Sequence, residues 1–188
     1  MRHEVIDIIE ECVAKASQAC EVRYTDYKGA TGASITPDLG YVFGSAEYFK
    51  DWLDEKSKAG KAKFPLVVLF NPITENRNDA AYYSTCKVNL LIACMTQKEW
   101  SNEQRKEYSF ENVLRPIYKA LLGALKADKR LDFGYTTLVR HDYSENYSYG
   151  KYGAWVDRSG EMVSEPIDAI DIRNLELKIK QINCRYEN

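Results

Sequence analysis

The run Pro65-Leu66-Val67-Val68-Leu69-Phe70 is apolar at every position. A strand with one face in water alternates apolar and polar side chains. An unbroken run of this length therefore reads as a strand buried on both faces. Such a strand needs hydrogen-bonded neighbours and a covering layer. Asn71-Pro72 closes the run, and residues 71–80 (Asn-Pro-Ile-Thr-Glu-Asn-Arg-Asn-Asp-Ala) are polar and turn-rich. That composition predicts an exposed, protruding loop carrying Asn76 and Arg77.

The next segment, 81–96, reads as the longest strand. Val88, Leu90, Ile92 and Cys94 fall on one face, and Leu91, Ala93 and Met95 on the other. Its first half is more polar, so it enters the sheet centre from an exposed end. The 65–70 run is its expected antiparallel neighbour, although the intervening connection is long for a hairpin.

Towards the N-terminus, Val5, Ile8, Ile9, Cys12, Val13 and Ala16 recur at helical spacing, which predicts an amphipathic helix over 4–19. Residues 21–27 alternate like a half-exposed strand. The Gly- and Pro-punctuated stretch 29–40 reads as a loop, and no Lys-Ser/Thr pair follows Gly29 and Gly32 to make a phosphate cradle. Tyr41-Val42-Phe43 is a short strand. Ser45 is the expected cap of a helix over 46–58 with Phe49, Trp52 and Leu53 on one face. The lysines at 56, 58, 61 and 63 read as its solvated C-terminal end.

Towards the C-terminus, 98–108 reads as charged and irregular. A helix is predicted over 109–127, capped by Ser109, with Val113, Leu114, Ile117, Leu121, Leu122 and Leu125 buried. Pro116 should kink it or mark its true start. In the last segment, 167–182, Ile170 and Ile172 share one phase, while Leu175, Leu177 and Ile179 share another, offset by one residue. An inserted residue near Arg173-Asn174, a β-bulge, restores the pattern. The expected fold is α+β: a single domain over residues 1–188, with a mostly antiparallel sheet, two or three helices packed on one face, and long protruding loops at about 71–80 and 133–156.

Residues 133–156 hold Phe133, Tyr135, Tyr143, Tyr147, Tyr149, Tyr152 and Trp155 among Ser, Asn and Gly. Tyrosine offers large contact area at low entropic cost, and such mixtures make adaptable contact surfaces. Tyr143, Tyr147, Tyr149, Tyr152 and Trp155, with Asn76 and Arg77, are therefore the expected oligomer or partner interface. The competing reading is a hairpin packed on its own domain.

The composition is that of a globular protein, 45% hydrophobic and 29% charged, with a formal net charge of -2. Coating of nucleic acid by the whole surface wants a basic chain. Met1-Arg2-His3-Glu4-Val5 leads straight into the first helix without a signal-peptide pattern, and no apolar run is long enough to span a bilayer. Cytoplasmic synthesis is the expectation. The five cysteines, Cys12, Cys20, Cys86, Cys94 and Cys184, include no CxxC and no nearby histidine, so buried free thiols are expected rather than a metal site.

Two constellations carry possible chemistry. Asp168, Asp171, Glu176 and Lys178 superficially resemble the acidic signature of metal-dependent nucleases, in which carboxylates hold Mg²⁺ and a lysine supports the attacking water. The step of eight residues from Asp168 to Glu176 is tight for the turn this requires. A solvent-facing row of alternating charges is the expected reading. His141-Asp142 could be a base and its orienting partner, but no nucleophile motif accompanies it. The chain is expected to be no enzyme and to carry no cofactor or metal.

The order of elements carries a resemblance. Tyr41-Val42-Phe43-Gly44-Ser45, Phe64-Pro65-Leu66-Val67-Val68-Leu69-Phe70, Leu91-Ile92-Ala93-Cys94, Val113-Leu114-Arg115-Pro116-Ile117-Tyr118, Tyr152-Gly153 and Ile167-Asp168-Ala169-Ile170-Asp171-Ile172-Arg173-Asn174-Leu175 follow one another. This resembles structural proteins of the head–neck–tail clusters of Bacteroidetes phages and prophages, and is similar in outline to tail-terminator and tail-completion proteins. The resemblance covers about residues 40–183 as a pattern, without a diagnostic motif. It implies a virion protein in the neck or tail that forms a homo-oligomeric ring, six- or twelve-fold. The ring would contact adjacent portal, connector or tail proteins, and DNA would pass through it without sequence-specific binding. The resemblance brings no catalytic residues. The alternatives are a small cytosolic interaction domain and, further off, the metal-dependent nuclease.

Overall fold

The computed structural model describes residues 4–58, 64–77, 83–135, 138–147 and 166–181. Its centre is the strand that the apolar run announced. β2 (Leu66–Asn76) lies between β1 (Gly40–Gly44), to which it is parallel, and β3 (Tyr83–Met95), to which it is antiparallel. β5 (Ile167–Lys180) pairs antiparallel with β3, and β4 (Asp142–Asn146) with the far side of β5. The sheet order is β1-β2-β3-β5-β4. The fold is α+β, with a mixed sheet that is antiparallel in every pairing but one.

Both faces of the apolar run are covered, by different helices. Val67 and Leu69 join Leu90, Ile92, Ile170 and Ile172 beneath α1 (Val5–Ala19) and a long C-terminal helix. Leu66 and Val68 join Leu91, Ala93, Ile167 and Ala169 against Phe49 and Leu53 of α2 (Ala46–Lys58). Two helices thus share one face as expected, and the third lies on the other. Phe49 and Leu53 are the buried positions of α2, with Trp52 packed partly buried against the same cluster.

The long helix begins earlier than expected. It runs without a break through α3 (Asn102–Arg105), a π-helical stretch (Lys106–Leu114) and α4 (Arg115–Ala127). Ser101 and Gln104 form a reciprocal capping box, with Gln104 Oε1 accepting the Ser101 N–H at 2.9 Å. Ser109 is buried mid-helix and caps nothing. The π register explains how Pro116 sits inside a continuous helix. Arg115 N–H reaches back to Phe110 O. The carbonyl that Pro116 cannot serve, that of Asn112, accepts the Arg23 N–H at 3.0 Å instead.

Three further differences separate sequence and structure. Residues 71–76 continue β2 and are not a loop. The ladder breaks between Phe70 and Thr74 and then resumes as Thr74↔Lys87, Glu75↔Cys86 and Asn76↔Thr85. Pro72 falls within the break, where no ladder N–H is required. Residues 21–27 form no ladder: only isolated bridges, Val22↔Ile35 and Thr25↔Thr31, survive around a turn closed by the Asp26 carboxylate. The longest strand is β5, at 14 residues against 13 for β3.

The bulge in β5 stands where the phase shift put it. Val88 pairs with Leu175 and Leu90 with Ile172, so Arg173 and Asn174 together oppose Asn89. Asn174 takes a positive φ of 53°, a conformation asparagine tolerates better than most residues. Asn89 Oδ1 accepts its N–H at 3.0 Å. Cys12, Cys20, Cys86 and Cys94 are buried free thiols, and burial pushes Cys12 and Cys86 up to about 12. Cys184 lies outside the described residues. No described helix is long and apolar enough to cross a membrane.

Candidate functional site: the β4 edge

The segment after α4 is held against the outer edge of β5. Lys180 donates to Arg130 O at 2.8 Å, and Asp132 N–H to Lys178 O at 2.9 Å. The chain then leaves the edge, returns where Glu176 N–H donates to Arg140 O at 3.0 Å, and continues as β4. The middle of the expected loop 133–156 is therefore an edge strand. The cause is the free row of backbone groups on β5, which a polar, tyrosine-rich segment can pair with as readily as an apolar one.

Register sets which residues meet the helices. Tyr143 pairs with Ile172 and Glu145 with Ile170, so both face α4. Arg115 grips Glu145 in a two-pronged contact, Nε to Oε1 at 2.7 Å and Nη2 to Oε2 at 3.1 Å. That contact holds the Glu145 carboxyl below its usual range. Tyr143 donates its hydroxyl to the same carboxylate and lies with its ring centre 5.0 Å from Tyr118. The Tyr118 hydroxyl meets His141 Nε2 at 2.8 Å, while His141 Nδ1 meets Val139 O at 2.8 Å. A carbonyl only accepts, so Nδ1 carries a proton, and in the neutral ring Nε2 accepts from Tyr118. The result is a fixed surface of two tyrosines, an arginine and a histidine, with Tyr143 still 41% exposed.

The other expected interface residues fall elsewhere. Tyr147 packs on the domain's own core, its ring 4.4 Å from Phe110. Tyr149, Tyr152 and Trp155 lie outside the described residues. Asn76 ends β2, and Arg77 follows it, bound to Glu75 and Glu4. With β3 and β5 between β2 and β4, these two stand at least about 14 Å from β4 across the sheet, at roughly 4.8 Å per strand, and Asn76 is level with Lys178 while Tyr143 is level with Ile172. They do not share a patch with Tyr143.

Nor does β5 assemble the acidic constellation. Asp168 pairs with Cys94 and points to the helix face, where it meets Arg105 at 3.3 Å. Asp171 points to the other face and accepts from Asn146 at 2.7 Å; burial raises its pKa. Glu176 pairs with Lys87 at 3.0 Å, and Lys178 with Asp132 at 3.6 Å. Among the described residues no three His, Cys, Asp or Glu side chains come together as metal ligands. His141 and Asp142 diverge, the first to Tyr118 and the second to Asn174 at 2.6 Å.

Sequence reasoning did not find Arg115, Tyr118 or Glu145. Arg115 and Tyr118 flank the buried stripe of their helix, and nothing local marks β4 as its neighbour. In comparisons with known proteins the chain matches no family model, no curated protein and no solved structure.

Proposed function

We propose that the chain is a structural protein of the virion that closes into a ring in a phage neck or tail, joining head to tail around the DNA channel. One observation carries the reading: the sheet ends in two unlike edges. β1 is parallel to its neighbour and presents Phe43, 46% exposed. β4 is antiparallel and presents Tyr143 with its polar partners. Neither edge has a further strand among the described residues. Two different contact surfaces at opposite ends of one subunit favour head-to-tail association, which closes into a ring when the rotation permits. The order of elements from 40 to 183 supports the neck or tail as its place. A net charge of -2 suits a channel through which DNA slides without adhering.

Mass photometry with negative-stain imaging of the full chain tests this. Closed rings of one stoichiometry are expected, and Tyr143→Glu and Phe43→Glu should each release folded monomers. A chain that stays monomeric at tens of micromolar overturns the reading.

A further inference from the structure

Between its two attachments to β5, the chain borders a space with Phe133, Gly134 and Leu138. It departs at a tight turn in which Asp132 Oδ1 accepts the Gly134 N–H at 2.9 Å, with Gly134 at a φ of +65°. It rejoins at Arg140. Under it lies a cavity of about 530 Å³, within the range of small-molecule sites. Three consecutive residues of β3, from Thr85 to Lys87, and three of β5, from Glu176 to Lys178, make its floor. This is the half of the second sheet face that α2 does not reach, and no helix among the described residues fills the space.

Its walls differ in character. Phe133 and Leu138 are apolar, and Leu138 remains 60% exposed at the rim. The charged wall holds Lys87, Lys178 and Arg140 against Asp132 and Glu176, one positive charge in excess on a chain that is acidic overall. Two of the cations are already matched: Lys87 to Glu176, and Lys178 to Asp132, with the Lys178 ammonium also held 4.0 Å above the Tyr83 ring. Arg140 has no carboxylate partner among the described residues. It lines this cavity and a second one of about 450 Å³ that continues past it along β4. The acid two residues further along the chain, Asp142, is bound by Asn174.

We infer that this cavity binds a small organic anion, a phosphate or carboxylate head carried on an apolar body. A guanidinium offers two parallel donors that match either head. Lys87 and Lys178 add positive potential without leaving their partners. The body lies against Phe133 and Leu138. An unpaired arginine on a flat surface is ordinary. Here it stands over a concave space whose other cations are neutralised, so the attraction for an anion is concentrated at one wall. The inference does not depend on ring formation, since every residue it uses belongs to one subunit.

Isothermal titration of the full chain at low ionic strength, with phenyl phosphate, benzoate, inorganic phosphate and benzyl alcohol as probes, tests it. One aromatic anion per chain should bind saturably, and the tighter of phenyl phosphate and benzoate identifies the head group. Arg140→Gln should weaken that binding by about tenfold or more, and Lys87→Gln by less, with thermal melts unchanged because both side chains are exposed. Leu138→Ser should weaken the aromatic anion and leave inorganic phosphate as it was. No saturable binding of either aromatic anion overturns the inference. So does benzyl alcohol binding as tightly as the anions, or affinity unaltered in Arg140→Gln.

Discussion

The two ends of the β2–β3–β5 sheet have the same backbone pairing and opposite surroundings. At one end, residues 66–69, 90–94 and 167–172 lie between helices on both faces, and apolar side chains run almost without interruption. At the other, β3 alternates from Ser84 to Asn89, with Ser84, Cys86 and Val88 buried and Thr85, Lys87 and Asn89 exposed. Among the described residues only one face is covered there, and the other is the floor of the cavity. Strand composition thus records how many layers cover each stretch.

The largest expected effect breaks the closed end. Arg105 and Asp168 form an ion pair with both side chains almost fully buried, and Arg105 also donates to Gln97 O at 2.9 Å and Trp100 O at 3.1 Å. Arg105→Ala removes the cation from a buried ion pair and should cost roughly 3–5 kcal/mol in urea unfolding. Replacing both partners by apolar residues of similar volume should cost less. Lys87→Ala at the open end, where the ion pair is exposed, should stay within about 0.5 kcal/mol. A Lys87→Ala loss as large as that of Arg105→Ala would erase the contrast.

A smaller effect concerns the covered face beyond the closed end. Asp128 accepts from Arg130 and, at 3.2 Å, from Lys15, and Arg130 chiefly holds its carboxyl far below the usual range. A carboxyl depressed in the folded state stabilises fully above its unfolded pKa, and that contribution is lost as pH falls towards the folded value. Stability should therefore fall from about pH 4 downwards. Asp128→Asn should cost on the order of 1.5–3 kcal/mol at neutral pH and flatten the acid limb of the pH–stability curve. An unchanged acid limb would show that other carboxyls control it.

The smallest effect probes the boundary between the two ends, where the bulge lies. Asn174→Val places a β-branched residue at a φ of 53° and should cost roughly 1–2 kcal/mol. Asn174→Gly should cost less, losing only the contact with Asp142. Equal losses for the two variants would mean that the side-chain contact, not the backbone conformation, fixes the bulge.

Much of this was legible in the sequence because it follows from periodicity. The double-sided burial of 66–69, the split faces of β3 and the bulge at Arg173-Asn174 are all statements about which phase a side chain occupies, and phase survives whatever the neighbours are. The failures share another cause. Residues 71–76 carry the composition of a turn, and 102–108 that of an irregular stretch. Yet β3 supplies hydrogen-bond partners to the first, and the second is carried by Ser101's capping box into the helix that follows. The tyrosine-rich stretch shows the same limit, since an edge strand and a loop can share one composition. Of the candidate surface, tyrosine enrichment pointed to Tyr143. Its partners Arg115 and Tyr118 come from a helix 25 or more positions earlier in the chain.

By itself, the sequence determined the first two helices, the apolar centre of the sheet and the position of its one-residue slip, because each depends on local order along the chain. The tertiary structure alone decided that α2 covers only one end of the second face, that Asp168 meets Arg105 while Asp171 meets Asn146, and that Arg140 overlooks a cavity. Those outcomes depend on which surfaces the chain brings together, and strand pairing between residues far apart in sequence is not encoded in any single stretch.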